Sequence, residues 1–330
     1  MSDTLAVLGG GSWGTALAIA LARRGHAVRL WTRLPADADG MNALRMNAQF
    51  LPDIVLPPPL LATADLAAAL ADAQGVLIAV PSRAFREVLQ RVAPLWPGRE
   101  IAWATKGFEE DSGKLLHQVV AEVLGDAQCV AISGPSFAAE VALGLPTALS
   151  VASPDAAAAA VWIRRLHGDT LRAYRSDDLV GVQVGGAVKN VLAIAAGIAD
   201  GLGFGANARA ALITRGLAEV QRLGLALGAQ AETFAGLSGM GDLLLTCTDN
   251  QSRNRRVGLA LAQGSSAGQA MASLGQVAEG VATARAVRRL AARLGVSMPI
   301  CDEVYRVLHE QRDPHQAVLA LLAREPSAES

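Results

Sequence analysis

Apolar positions follow two different rhythms along this chain, and the change falls near residue 178. Up to about residue 153, short apolar runs alternate with segments of helical period. Residues 5–8, 27–31, 75–80, 101–105, 129–132 and 148–151 read as strands, with 66–73 and 85–92 as helices among them. Strand and helix in regular succession predict an α/β fold with a doubly wound, mostly parallel sheet. Residues 50–60 carry Pro52, Pro57, Pro58 and Pro59. They are expected as a surface loop, because proline lacks the amide that a helix interior or a central strand requires. After residue 178 the period is helical throughout: 179–200, 206–227, 253–262, 281–294 and 302–310, with Gly- and Ser-rich breaks between. The run from Ala156 to Ala160 is further helix. Two domains follow as the expectation, 1–178 and an all-α 179–330.

The first strand leads directly into Gly9-Gly10-Gly11-Ser12-Trp13-Gly14, and a helical stretch follows from Thr15. A lone G-x-G-x-x-G is a weak signal. Between a strand and a helix, with a second strand at 27–31, it marks a Rossmann-type dinucleotide site. In that reading Gly9 permits a tight turn, Gly11 lets the backbone approach a pyrophosphate, and Gly14 lets the helix pack on the strand. Amides at the helix start then face the phosphates. The same residues also satisfy G-x-S-x-G, the nucleophile elbow of serine hydrolases. That rival needs strands before residue 5, where there is no room, and a late acid and histidine. His309 and His315 are available, each in an ordinary polar helical context.

Cofactor choice is read after the second strand. Trp31-Thr32-Arg33 has no carboxylate for the adenosine ribose hydroxyls and one guanidinium able to pair with a 2′-phosphate. This favours NADPH while leaving NAD in use. The competing reading of Arg33 is an arginine that merely meets solvent.

Just over half of the 330 residues are apolar and the formal charge is −1. Bulk electrostatics therefore give no reason to seek nucleic acid or an anionic membrane. No apolar run approaches the roughly 18–20 residues of a membrane span. The start, Met1-Ser2-Asp3-Thr4, lacks the basic flank of a signal peptide. Cys129, Cys247 and Cys301 fit neither zinc nor disulfide spacing and read as buried thiols in a reducing cytoplasm. The five histidines are scattered, so no metal site is expected.

Of 29 basic residues only three are lysines: Lys106, Lys114 and Lys189. Arginine serves wherever a surface needs only charge, but its guanidinium cannot exchange a proton near neutral pH. Lys106 ends the apolar run 101–105, and Lys189 lies inside a long apolar helical stretch where a charge is costly without a purpose. Both are candidates for chemistry. Lys114, in the polar segment Glu109-Glu110-Asp111-Ser112-Gly113, is the control.

Further blocks carry a resemblance: Ala104-Thr105-Lys106-Gly107, Ser133-Gly134-Pro135-Ser136-Phe137-Ala138 and Val188-Lys189-Asn190-Val191-Leu192-Ala193. They are followed by Gly239-Met240-Gly241-Asp242-Leu243-Leu244-Leu245-Thr246-Cys247 and Ser252-Arg253-Asn254-Arg255. In this order, over nearly the whole chain, they resemble bacterial NAD(P)-dependent glycerol-3-phosphate dehydrogenase. The resemblance implies a Rossmann-type domain followed by a helical one, with the site in the cleft between them. It implies reduction of dihydroxyacetone phosphate to sn-glycerol 3-phosphate, the backbone precursor of phospholipids. Ser12, Trp13, Arg33, Lys106 and Ala138 would touch the dinucleotide. Lys106, Gly134 and Ser136 would line the substrate pocket, and Lys189 would transfer the proton. Asp242, Ser252, Arg253 and Asn254 would hold substrate, and Arg253, Val277 and Glu279 would close over the cofactor.

These residue types suit the chemistry. Carbonyl reduction requires a hydride at carbon and a proton at the oxygen, and no histidine lies in any matching block. Lysine is then the available acid, with Asp242 orienting an ammonium. A phosphate dianion requires forked donors and backbone amides, which Ser252-Arg253-Asn254 offers at the start of a predicted helix. Taken alone, that tripeptide reads equally as a helix cap with solvated arginines, and Asp242 and Glu279 read equally as caps. Among other readings, a related β-hydroxyacid dehydrogenase would lack the phosphate cluster, and a nucleotide-sensing regulator would need a basic DNA-binding module that neither half offers. The expected partner is a small phosphorylated molecule, with a homodimer possible.

Overall fold

The computed structural model describes residues 3–96, 98, 100–275 and 277–324. Met1 and Ser2, read above for a leader, lie outside them. The chain divides into two compact units, Met1–Glu109 with Lys114–Gln183, and Glu110–Gly113 with Val184–Ser330.

In the first unit the apolar runs become strands: β1 (Thr4–Leu8), β2 (Ala27–Trp31), β3 (Met46–Asn47), β4 (Leu51–Val55), β5 (Leu60–Thr63), β6 (Gly75–Ile78), β7 (Glu100–Trp103), β8 (Gln128–Ser133), β9 (Thr147–Ala152) and β10 (Leu171–Ser176). Eight of them form one sheet in the order β10-β9-β8-β7-β6-β1-β2-β5. Every pairing in it is parallel except β8 with β9. Leu5 and Val7 point into one core layer, Ala6 and Leu8 into the other. Burial on both faces is why the central strands read as unbroken apolar runs.

The segment expected as a surface loop, 50–60, instead contains β4, which pairs antiparallel with β3 in a separate ribbon. Leu51, Ile54, Leu56 and Leu60 are buried there. Pro52 is tolerated because a two-stranded ribbon has an unpaired side on each strand.

The second unit is helical. Its main helix, Leu179–Gly201, begins in the first unit and carries Lys189. It corrects the membrane reading above: by length and composition it could cross a bilayer, although 94% of its most apolar window is buried inside the protein. Gln183, Lys189 and Asn190 interrupt the apolar run without lowering its mean hydropathy below that of a spanning segment. The helix Arg253–Ala262 crosses it in backbone contact. A Cβ on Gly197 would overlap the Arg255 carbonyl oxygen, and one on Gly258 would overlap that of Ile194. Larger residues at either position would force the helices apart. Elsewhere in this unit the buried Glu219 accepts from the amides of Ile300 (2.7 Å) and Cys301 (3.2 Å), capping the helix Pro299–His309 from a distance. Cys247 and Cys301 are buried as expected, whereas Cys129, near the start of β8, is only partly so.

Candidate active site

In the first unit the predicted residues gather at the carboxyl ends of parallel strands. The sheet reverses its order between β1 and β6, and such a switch point opens a crevice beyond the strand ends. The glycine loop follows β1 there. Gly9 adopts φ +131, and a Cβ on Gly14 would overlap the Gly9 carbonyl oxygen, so only glycine closes this turn. A Cβ on Gly11 would meet nothing within 4 Å, which leaves the outer side of the loop open. The helix Ser12–Arg23 has no side-chain cap and no acid in its first turn. Its leading amides and positive dipole end suit a pyrophosphate, so the loop fits a dinucleotide. Arg33 follows β2 and is exposed.

Two hydrogen bonds tie the neighbouring strand ends together. The Trp13 indole donates to the Ala104 carbonyl just past β7 (3.1 Å), and Lys106 Nζ donates to the Gly134 carbonyl just past β8 (2.9 Å). Ser136 Oγ donates to that same carbonyl at 2.9 Å, and the Lys106 ammonium lies 5.8 Å from the Trp13 ring centroid. Ala138 opens the helix Ala138–Leu143, and both it and Trp13 pack against one core layer. Gly9, Gly11, Ser12, Trp13, Gly14, Arg33, Lys106, Gly134, Ser136 and Ala138 thus share one edge of the sheet. Lys114, the control, pairs with Glu122 on the surface.

In the second unit the Lys189 ammonium forms a buried ion pair with Asp242 and donates to Thr246 Oγ1 at 3.1 Å. The Thr246 proton goes to the Asp242 carbonyl oxygen at 2.6 Å, so its lone pairs are what it offers the ammonium. A π-helical turn, Leu237–Gly241, delivers Asp242 to this position. It packs so closely that a Cβ on Gly185 would overlap the Ser238 carbonyl oxygen. Asp242 is therefore not a cap: Gly241 occupies that place, and the carboxylate serves Lys189.

Ser252 does cap its helix, accepting from the Arg255 amide at 3.2 Å. Asn254 donates to Asn190 Oδ1 and accepts from the Gly280 amide, both at 2.9 Å. A Cβ on Gly280 would lie 2.5 Å from the Asn190 carbonyl oxygen, so only glycine allows that approach. Asn254 thereby joins the Lys189 helix to the start of the helix Glu279–Leu294. Glu279 opens that helix, two residues after Val277. Burial pulls the Arg253 guanidinium below its ordinary range, and the charge of Glu279 opposes that shift. Burial pushes the Cys247 thiol up to about 12, which leaves it inert beside the ion pair.

Thr246 and Asn190 lie within the matching motifs, but the sequence alone assigns neither a role. The signal for Thr246 was its i,i+4 spacing from Asp242 on a helix. For Asn190 it was adjacency to Lys189, which alone did not show that the two amides would meet.

A glycine loop at a sheet switch point, and a helical unit holding a lysine–carboxylate pair, define a pyridine-nucleotide-dependent dehydrogenase. The comparisons then narrow the class. The N-terminal part of NAD-dependent glycerol-3-phosphate dehydrogenase matches residues 4–159, and its C-terminal part matches 178–319. The chain belongs to that family. Glycerol-3-phosphate dehydrogenase (NAD(P)+) of Halorhodospira halophila is 58% identical over 330 residues, covering 100% of this chain and 99% of its own. Its counterpart in Thioalkalivibrio sulfidiphilus is 59% identical over 327 residues, covering 98% of each. The crystal structure of glycerol-3-phosphate dehydrogenase from Coxiella burnetii superposes with a TM-score of 0.95 at 50% identity, covering 98% of this chain and 99% of that one.

Proposed function

We propose that the protein reduces dihydroxyacetone phosphate to sn-glycerol 3-phosphate, reversibly, with Lys189 transferring the proton. When bound, the reduced nicotinamide supplies the hydride. Lys189 would give the proton of its ammonium to the carbonyl oxygen as that oxygen takes up the C=O π pair. The observation that carries this reading is the buried contact of Lys189 with Asp242 and Thr246. The carboxylate can take up and return a proton beside the amine, whereas the partners of Lys106 named above, a peptide carbonyl and an indole face, do not exchange protons near neutral pH.

The remaining roles are those that membership of the family implies. Gly9, Gly11, Gly14, Ser12, Trp13 and Ala138 hold the dinucleotide. Arg33 pairs with a 2′-phosphate, which favours NADPH over NADH. Lys106 places positive charge beside cofactor and substrate, with Gly134 and Ser136 lining the pocket. Ser252, Arg253 and Asn254 hold the phosphate. Arg253, Val277 and Glu279 cover the cofactor. The protein acts in the cytoplasm as a homodimer, supplying the glycerol backbone of phospholipids.

NADPH oxidation in the presence of dihydroxyacetone phosphate, repeated with NADH, tests the activity directly. Turnover with NADPH, and weaker turnover with NADH, is the expected result. Arg253→Ala should raise KM for the phosphorylated ketone by about tenfold or more, as for loss of a charge-assisted hydrogen bond. Dihydroxyacetone itself should be affected little. Equal effects on both ketones would remove Arg253 from the phosphate.

A further inference from the structure

Arg255 lies two residues beyond Arg253 and is given no role by the motif reading. It is 7% exposed, yet each of its three guanidinium nitrogens has a different acceptor. Nε donates to the Cys247 carbonyl (3.1 Å), in the last turn of the helix Asp242–Thr248. Nη1 donates to Asn250 Oδ1 (2.6 Å), in the turn that leads to Ser252. Nη2 donates to Asp200 Oδ2 (2.5 Å), near the end of the Lys189 helix. Asp200 is itself held through both oxygens by Arg209, at 3.0 and 2.9 Å. The Arg255 backbone completes the set: its amide holds the Ser252 hydroxyl, and its carbonyl rests against Gly197 of the Lys189 helix.

We propose that Arg255 is a positioning residue for phosphate recognition. It locks the turn bearing Ser252, Arg253 and Asn254 to the two helices that carry Lys189 and Asp242, while its own nitrogens are committed within the protein. The inference rests on the reading that those three residues hold the phosphate. A guanidinium is required because three acceptors in three directions match its planar fork, whereas an ammonium on a flexible stem cannot serve all three in fixed geometry. A shift of about 1 Å in a binding group can cost on the order of a hundredfold in rate, so small losses of register here are readable in kinetics.

The test is Arg255→Lys, which keeps the charge and the Asp200 ion pair but loses the fork. We expect KM for dihydroxyacetone phosphate to rise about tenfold. The preference for the phosphorylated ketone over dihydroxyacetone, and inhibition by inorganic phosphate, should weaken by a similar factor. The dissociation constant for NADPH, read by fluorescence, should rise by much less than that factor, since Arg253 is only one of the residues that cover the cofactor. A merely structural role would instead lower Tm and depress turnover of both ketones together, leaving the preference intact. That result, or an unchanged preference in a folded variant, overturns the proposal. Should Arg255→Lys not fold, Asn250→Ala removes one acceptor and must weaken the preference in the same direction; an unchanged preference there overturns it equally. Arg253→Ala, run alongside, separates the two ideas. If it leaves the phosphate preference untouched, the phosphate reading fails; if it abolishes the preference while Arg255→Lys does not, only the positioning role fails.

Discussion

Lys106 and Lys189 are two of three lysines in a chain that otherwise uses arginine, and their surroundings differ in kind. Lys106 stands just beyond the carboxyl end of β7, against a peptide carbonyl and an indole face. Both stabilise a standing positive charge and neither carries a proton away. Lys189 is buried in a helix, against a carboxylate and a hydroxyl. The contrast teaches that rarity selects lysines with a purpose but does not say which purpose. The neighbours do. On the proposed reading, the first lysine holds charge, and the second gives up a proton and recovers it.

The largest effect should come from removing the carboxylate on one side of this contrast. Asp242→Asn keeps the shape but leaves the Lys189 ammonium buried without its counter-ion. We expect kcat to fall by at least about a hundredfold, and stability by on the order of 3 kcal/mol, measured by steady-state kinetics and urea unfolding. A fully active, fully stable variant would erase the distinction between the two lysines. The first unit should respond differently, through cofactor binding rather than turnover. Arg33→Ala should reduce kcat/KM for NADPH about tenfold while leaving NADH nearly unaffected, since only one of them carries the 2′-phosphate. Equal loss with both would make Arg33 a surface arginine.

The smallest effect concerns a different buried acid, Glu219, which accepts from the amides of Ile300 and Cys301. Burial raises the Glu219 carboxyl from 4.5 to about 7, against the pull of the Ile300 and Cys301 amides and the charge of Arg222. A carboxyl whose value is raised by folding stabilises the native state fully below its unfolded value, and that contribution fades as pH climbs through about 7. Tm should therefore fall by several degrees between about pH 5 and pH 8, and Glu219→Gln should flatten that slope. An identical slope in the variant would show that Glu219 does not titrate in this range. The effect bears on stability alone, so kcat for the Gln variant should match the parent, which sharpens the claim that proton chemistry is confined to Lys189.

Much of this was legible in the sequence, for identifiable reasons. Central strands buried on both faces appear as unbroken apolar runs, as residues 5–8 do within β1. The edge strands were missed because they alternate. In β10 Leu171 and Ala173 are buried while Arg172 and Tyr174 are exposed, and in β5 Leu61 points outward. A run of four to six alternating residues resembles a loop when no neighbouring strand is known. The helix of Arg253–Ala262 was legible from its cap, since Ser252 both precedes it and bonds into it. Asp242 was expected to orient an ammonium, but that Lys189 is the partner and that Thr246 joins it were not legible, because both depend on a π-helical turn seated against Gly185. Motif blocks named most of the residues; only the folded chain showed that Asp242 serves a lysine rather than a helix end.

The central claim is that Lys189 moves the proton and Lys106 holds charge. The most direct measurement is kcat for NADPH oxidation by dihydroxyacetone phosphate in Lys189→Arg and Lys106→Arg, assayed side by side at saturating cofactor. Arginine keeps the charge of each but exchanges no proton. The account predicts that Lys189→Arg loses about 10²–10⁴-fold in kcat while Lys106→Arg stays within about tenfold of the parent. The reverse order, or near-normal turnover by Lys189→Arg, would contradict it.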